Sequence, residues 1–186
     1  MKKLSSFITC AIVFFASCSK EADHVEPKDT DTFSAKLNGT SYTFNVEAAV
    51  LLRSPSTSEK RLIIAGTSTD GITKLTITLW EATSVGGGIS VKSYIIRLSD
   101  EDDPATPEDE SQDSLDGNLT LGKKVGSSWS VYHEYSENGT INISSCNEAN
   151  TTISGTFQAE LTDLMDRSEI TITAGTFSNI KYTIID

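Results

Sequence analysis

Leu75-Thr76-Ile77-Thr78-Leu79-Trp80 decides the fold of this chain. Leu75, Ile77 and Leu79 alternate with Thr76, Thr78 and Trp80, and successive side chains of a strand point to opposite faces of its sheet. The run therefore predicts a strand with one buried and one open face. The same period of two extends in both directions. Upstream, Phe33, Ala35 and Leu37 lead to Asn38-Gly39, a dipeptide suited to the two left-handed positions of a tight hairpin turn. Tyr42, Phe44 and Val46 resume the alternation, and Ala48 to Leu52 reads as further strand. Leu62 to Ala65 is a short apolar run, followed by Asp70-Gly71 as a second hairpin signal. Downstream, Ser90 to Leu98 is rich in β-branched and aromatic residues. Val131 to Tyr135 reads as a strand, and Asn138-Gly139 reads as a third turn, leading into Ile141 and Ile143. Ile153, Phe157, Ala159 and Leu161 share a face with Gly155. Ile170, Ile172, Gly175, Phe177, Tyr182 and Ile184 complete the pattern. Short strands at regular spacing with turn signals between them predict an all-β domain over residues 32–186. A single antiparallel β-sandwich is expected, with an open β-barrel-like sheet as the alternative.

One segment does not fit a strand. Residues 100–116 hold nine acids and no base, and Pro104 and Pro107 deny it a regular ladder. Mutual repulsion predicts a mobile surface loop. Cations number 15 and acids 26, for a net charge of −11. Such a balance repels phosphate backbones and argues against nucleic acid as a partner.

The first 17 residues predict export. Lys2 and Lys3 precede an apolar run, Phe7 to Ala16. That run is too short for a membrane-spanning helix, which needs about 20 residues. Together they read as a secretory signal peptide. The string Phe15-Ala16-Ser17-Cys18 resembles the bacterial lipobox, with Phe15 in place of the usual Leu. The resemblance implies lipid attachment at Cys18 and hence a lipid bilayer as partner. Residues 18–31 are polar and charged and cannot bury enough surface to fold, so they read as a flexible tether. Lys20-Glu21-Ala22-Asp23 is similar to the export signal of surface lipoproteins in Bacteroidota. Cys10 leaves with the signal, so Cys146 is left without a disulfide partner in the domain. It is expected to be a small, buried, inert residue.

The strings Gly139-Thr140-Ile141-Asn142-Ile143, Ile153-Ser154-Gly155-Thr156-Phe157 and Ile170 to Ile180 resemble an uncharacterised family of Bacteroidota lipoproteins, as does the opening Phe33 to Gly39. The resemblance spans most of residues 32–186 and implies a β-sandwich of unknown function at the outer membrane, facing either the surface or the periplasm. It brings no catalytic residues. Asp113-Ser114-Leu115 resembles the short O-glycosylation site of exported proteins of that group.

Candidate chemistry is sparse. A zinc site needs three or four converging ligands, and the domain offers one histidine, His133, and one cysteine. No Gly-x-Ser-x-Gly elbow presents a serine to His133. Paired carboxylates could hydrolyse sugars, but so many acids make a pair at any spacing uninformative. The acidic loop lacks the ligand order of a dedicated calcium loop. No catalytic residue, metal or cofactor is therefore expected. The aromatics give the best binding signal. Trp80 faces solvent or a second sheet. Alternation puts Trp129, Val131, His133 and Tyr135 on one face of a strand, and Tyr132 with Glu134 on the other. Exposed flat rings beside acids and amides suit sugars, and packing within the sheet is the competing role. The leading expectation is a non-enzymatic binding or interaction module at the cell envelope, with a glycan or an envelope protein as partner and Trp80, Trp129, Tyr132 and Tyr135 as ligand-binding candidates. A structural or accessory subunit of an envelope complex is the first alternative, and a carboxylate-dependent hydrolase the second.

Overall fold

The computed structural model describes residues 31–54, 56, 58–82, 87–97, 117–133, 135–163 and 166–186; at 97 and 131–137 no side chain is described. The segment read as a signal, 1–17, the expected tether with Cys18 up to residue 30, and the acidic stretch 100–116 lie outside the described residues.

Among the described residues there are eleven strands and no helix: β1 (Thr32–Leu37), β2 (Thr40–Ser54), β3 (Glu59–Ser68), β4 (Thr73–Ala82), β5 (Ser93–Arg97), β6 (Gly117–Val125), β7 (Ser128–His133), β8 (Tyr135–Asn147), β9 (Thr152–Thr162), β10 (Glu169–Lys181) and β11 (Thr183–Ile185). Ten of them form one open sheet in the order β5-β8-β9-β10-β1-β2-β3-β4-β6-β7, each neighbouring pair antiparallel, while β11 adds to β2 in parallel. The all-β expectation holds. The two layers are halves of one sheet that continues through the β1–β2 hairpin and folds back on itself. Thus β6 touches β5, β8 and β9 although it is hydrogen-bonded to none of them.

The run Leu75 to Trp80 behaves as its period requires. Leu75, Ile77 and Leu79 are fully buried, and Thr76, Thr78 and Trp80 are half-buried on the opposite face. All three apolar residues join a single core that also takes Phe33, Phe44, Leu62, Ile64, Leu119, Ile141, Phe157 and Phe177. Burying each of these side chains contributes about 1.5–3 kcal/mol. Asn38 and Gly39 both take positive φ, as the β1–β2 turn demands. The Asn38 side chain also accepts the Thr171 N–H at 2.8 Å, tying the turn to β10.

Two Gly-Thr-Phe strings explain the centre of the first layer. Gly155-Thr156-Phe157 on β9 runs antiparallel to Gly175-Thr176-Phe177 on β10, so each glycine stands opposite the other strand's phenylalanine. A Cβ on Gly155 would lie 2.5 Å from the Phe177 ring, and one on Gly175 the same distance from Phe157. The bare glycines let both rings lie flat across the strands. The rings stack at 6.3 Å, and Phe33 then packs edge-on to Phe157 at 6.0 Å.

The sequence misleads at two points. Asn138-Gly139 is not a turn. Both residues lie inside β8, with β5 on one side and β9 on the other, and neither has positive φ. Gly139 serves there as the bare site against which Ala159 packs. The stretch Val131 to Tyr135 spans β7, paired with β6, and the start of β8, paired with β9. Cys146 is half-buried rather than buried. The odd spacings in β10, from Ile172 to Gly175 and from Phe177 to Ile180, are absorbed by bulges at which Ala174 and Asn179 take positive φ. These return the apolar residues to the core face.

Candidate functional site

Two places in the fold concentrate chemistry. The first is the outer face of β2, β3, β4, β6 and β7. Its rungs follow from register: Ala65 with Thr76 and Thr120, Ile63 with Thr78 and Asn118, Arg61 with Trp80, and Thr67 with Lys74 and Gly122. The floor is therefore mostly threonine and asparagine, with a tryptophan near either end.

At one end Trp80 stands opposite Arg61, whose guanidinium carbon lies 5.7 Å from the ring centroid. At the other end Trp129 stands opposite Lys124 and reaches diagonally over Gly122. Its ring is 5.6 Å from Lys74 Nζ. Lys74 is in turn paired with Glu47 at 2.7 Å, and Glu47 accepts the Thr67 hydroxyl at 2.6 Å. Glu47 is the additional residue of a bulge in β2, which aims it onto this face. The hydrogen bond from Lys74, then that from Thr67, holds its carboxyl below the usual glutamate range. Six residues along β4 separate Trp80 from Lys74, beside which the Trp129 ring lies, so the rings stand about 20 Å apart along the strands.

The other aromatic candidates are placed by strand pairing alone. Tyr132 is the additional residue of a bulge in β7, between His133 opposite Leu121 and Val131 opposite Gly122. That bulge shifts the alternation expected from Trp129 onward. Tyr135 belongs to β8 in the other layer, opposite Thr162.

The second place closes one end of the core and was not foreseen. Lys60 and Glu81 are opposite each other on β3 and β4, in phase with Leu62 and Leu79, and only 7% and 5% exposed. Residues 87–90 cross the end of the core over them. Lys60 Nζ donates to Gly88 O at 3.1 Å, and Gly88 N–H donates to Glu148 Oε1 at 2.7 Å. Ser90 N–H donates to Glu81 Oε2 at 3.2 Å. The Tyr94 hydroxyl lies 3.0 Å from Ser90 O and 3.4 Å from Glu81 Oε1. Ile89 fills the space beneath, 3% exposed. Arg53 extends the row on β2, with its guanidinium nitrogens 3.9 Å from Glu148 and from Asp186. Beside Gly88, Cys146 Sγ meets the Tyr182 hydroxyl at 3.5 Å. Burial and then that contact raise the Tyr182 phenol well above its ordinary value.

This cluster is a cap. Its buried carboxylate and ammonium are bonded to groups of the crossing segment and of β5, and Ile89 is buried beneath that segment. The signal for it was present in the sequence as two charges in phase with the core: Lys60 two residues before Leu62, and Glu81 two after Leu79. Among the described residues no group of three or more His, Cys, Asp or Glu side chains converges as a metal site would, and no helix is long and apolar enough to cross a membrane. Comparison of the chain with protein-family models, with curated proteins and with solved structures finds no match.

Proposed function

We propose that this chain is a lipid-anchored, non-enzymatic binding module of the bacterial envelope that holds an extended glycan along the outer face between Trp80 and Trp129. The observation that carries the reading is the placement of both tryptophans on the same open face, each beside a cation, with threonines and an asparagine between them. Tryptophan rings cover the C–H faces of sugars, and hydroxyl and amide groups take up sugar hydroxyls. The separation of about 20 Å fits a chain of several sugars better than a single one. The lipobox-like string ending at Cys18 and the resemblance to Bacteroidota lipoproteins support attachment to the outer membrane, on its surface or in the periplasm.

Affinity electrophoresis against a panel of soluble polysaccharides tests the binding reading. Trp80→Ala and Trp129→Ala are expected to weaken binding at least tenfold each while shifting the urea midpoint little, because neither ring belongs to the core. Undiminished binding in both variants overturns it. Attachment is tested separately by fractionating cells that carry Cys18→Ala: release of the protein from membranes is expected, and retention overturns the anchor.

A further inference from the structure

We infer that the glycan is acidic, and that Arg61 receives a sugar carboxylate while Trp80 covers the same sugar's ring. This rests on the glycan reading above. Arg61 and Trp80 are register partners on adjacent strands, so the relative position of cation and ring is fixed by the β3–β4 ladder. The guanidinium lies 5.7 Å from the ring centroid and the residue is exposed.

What sets Arg61 apart among the described cations is a guanidinium without an ion pair that stands opposite a tryptophan ring. The chain has 26 acids to 15 cations. Lys74, beside the other tryptophan, is already neutralised by Glu47, and Arg53 stands between Glu148 and Asp186. Among the described residues Arg61 has no ion pair, and the rung continues from it into Leu52 and Ile185 on β2 and β11. An apolar flank on one side and an indole on the other leave the guanidinium without a competing acceptor on its rung. A guanidinium presents a planar fork of donors that fits a carboxylate through two parallel hydrogen bonds, which an ammonium cannot reproduce. A uronic acid meets these demands together, because its carboxylate projects from the edge of the ring whose C–H face would lie on the indole. The two ends of the face then differ in chemistry. The Trp80 end presents an unpaired guanidinium, whereas the Trp129 end presents two ammonium groups, Lys74 paired with Glu47 and Lys124 without an ion pair among the described residues.

The test uses the full chain in isothermal titration and affinity electrophoresis with polygalacturonate, alginate and hyaluronan, against methyl-esterified polygalacturonate and dextran as uncharged probes. Binding of at least one polyuronate is expected, weakened by salt. The Arg61→Met variant is expected to lose roughly 10- to 100-fold of it, the range for a hydrogen bond to a charged group. Arg61→Lys, which keeps the charge and loses the fork, should recover only part. If the Arg61 variants bind polyuronates as wild type does, or if the esterified polymer binds as well as the acid, the inference falls. The glycan reading survives that result provided Trp80→Ala still abolishes binding. If only uncharged polysaccharides bind, the inference falls and the reading again stands. If nothing in the panel or among wider glycans binds, both fall. Arg61 is outside the core, so matching urea midpoints will confirm that each variant is folded.

Discussion

The Gly-Thr-Phe clasp of β9 and β10 and the polar cap over Lys60 and Glu81 solve the same problem, filling the inside of a folded-over sheet, by opposite means. The clasp uses rings laid over bare backbone: Phe157 on Gly175, and Phe177 on Gly155. The cap uses charged side chains that hold the backbone of residues 87–90 across the end of the core. The clasp depends on residue type and on the parity of two adjacent strands, and both are written locally in the chain. The cap depends on partners that only the topology assembles. Gly88 and Glu148, for example, are separated by 60 positions. Apolar packing is therefore the more legible of the two, and polar closure the more dependent on the rest of the fold.

The largest expected effect breaks the clasp. Gly175→Val places a branched side chain where even a Cβ would lie 2.5 Å from the Phe157 ring and 2.6 Å from its carbonyl oxygen. Overpacking of this kind costs about 3 kcal/mol or more. Urea denaturation should show a large loss, or no folded protein. Gly175→Ala combined with Phe157→Leu should recover part of the loss of the alanine variant alone, because the ring can yield and the carbonyl cannot. Full additivity of the two changes would mean the ring and the glycine are not coupled.

The cap should fail by a smaller amount. Glu81→Ala leaves the Ser90 N–H without its acceptor and removes one of the two oxygens near the Tyr94 hydroxyl. Leaving such groups unsatisfied costs about 2–3 kcal/mol. Glu81→Gln keeps an acceptor and should cost about 1 kcal/mol. The contrast sharpens with Glu81→Leu. If leucine is as stable as wild type, burial of Ile89 alone closes this end, and the polar bonds are dispensable, as buried ionic groups sometimes are.

What the sequence disclosed follows the same division. Alternation located the strands and the core face because burial on one side forces a period of two. Asn38-Gly39 and Asn138-Gly139 show the limit of local reading. The same dipeptide turns the chain at the end of β1 and runs straight through β8, where two flanking strands demand extended backbone. Trp80 and Trp129 were legible as candidates, and their common face was not. That face depends on the pairing of β4 with β6 and of β6 with β7, across residues 83–116. Alternation put Tyr135 on the face of Trp129 and Tyr132 on the other, whereas pairing carries Tyr135 into the other layer and a bulge falls at Tyr132. Arg61 drew no notice because the ring opposite it stands on the next strand.

The bulges of β10 offer a smaller test, on the strand that carries half of the clasp. Ala174 has φ of 49°, a conformation that costs a side chain about 1–2 kcal/mol. Glycine removes that strain but gives back part of the gain through the entropy of the unfolded chain. Ala174→Gly should therefore stabilise by about 0.5 kcal/mol. Asn179, at φ of 53°, is a residue type that tolerates this region, and Asn179→Gly should change little. Equal gains at both sites would show that the bulge relieves its strain elsewhere in β10.

The smallest effect separates buried polar bonds from exposed ones, with Glu47 as the control for Glu81. Glu47 bonds Lys74 and Thr67 on the open face, where water screens the pair. Its loss in Glu47→Gln should cost only a few tenths of a kcal/mol. The sign of its pH dependence is fixed by the direction of its shift. The folded carboxyl ionises below its ordinary value of 4.5, held there chiefly by Lys74. The folded state therefore favours the charged form, and the stability this contributes is present above the unfolded value and fades as pH falls through the folded one. Thermal melts of wild type and Glu47→Gln should differ slightly at neutral pH and converge on the acid side of the carboxylate range. A difference as large as that for Glu81→Ala would mean that the open face is not open at this rung, and that something covers Lys74 and Trp129 in the folded protein.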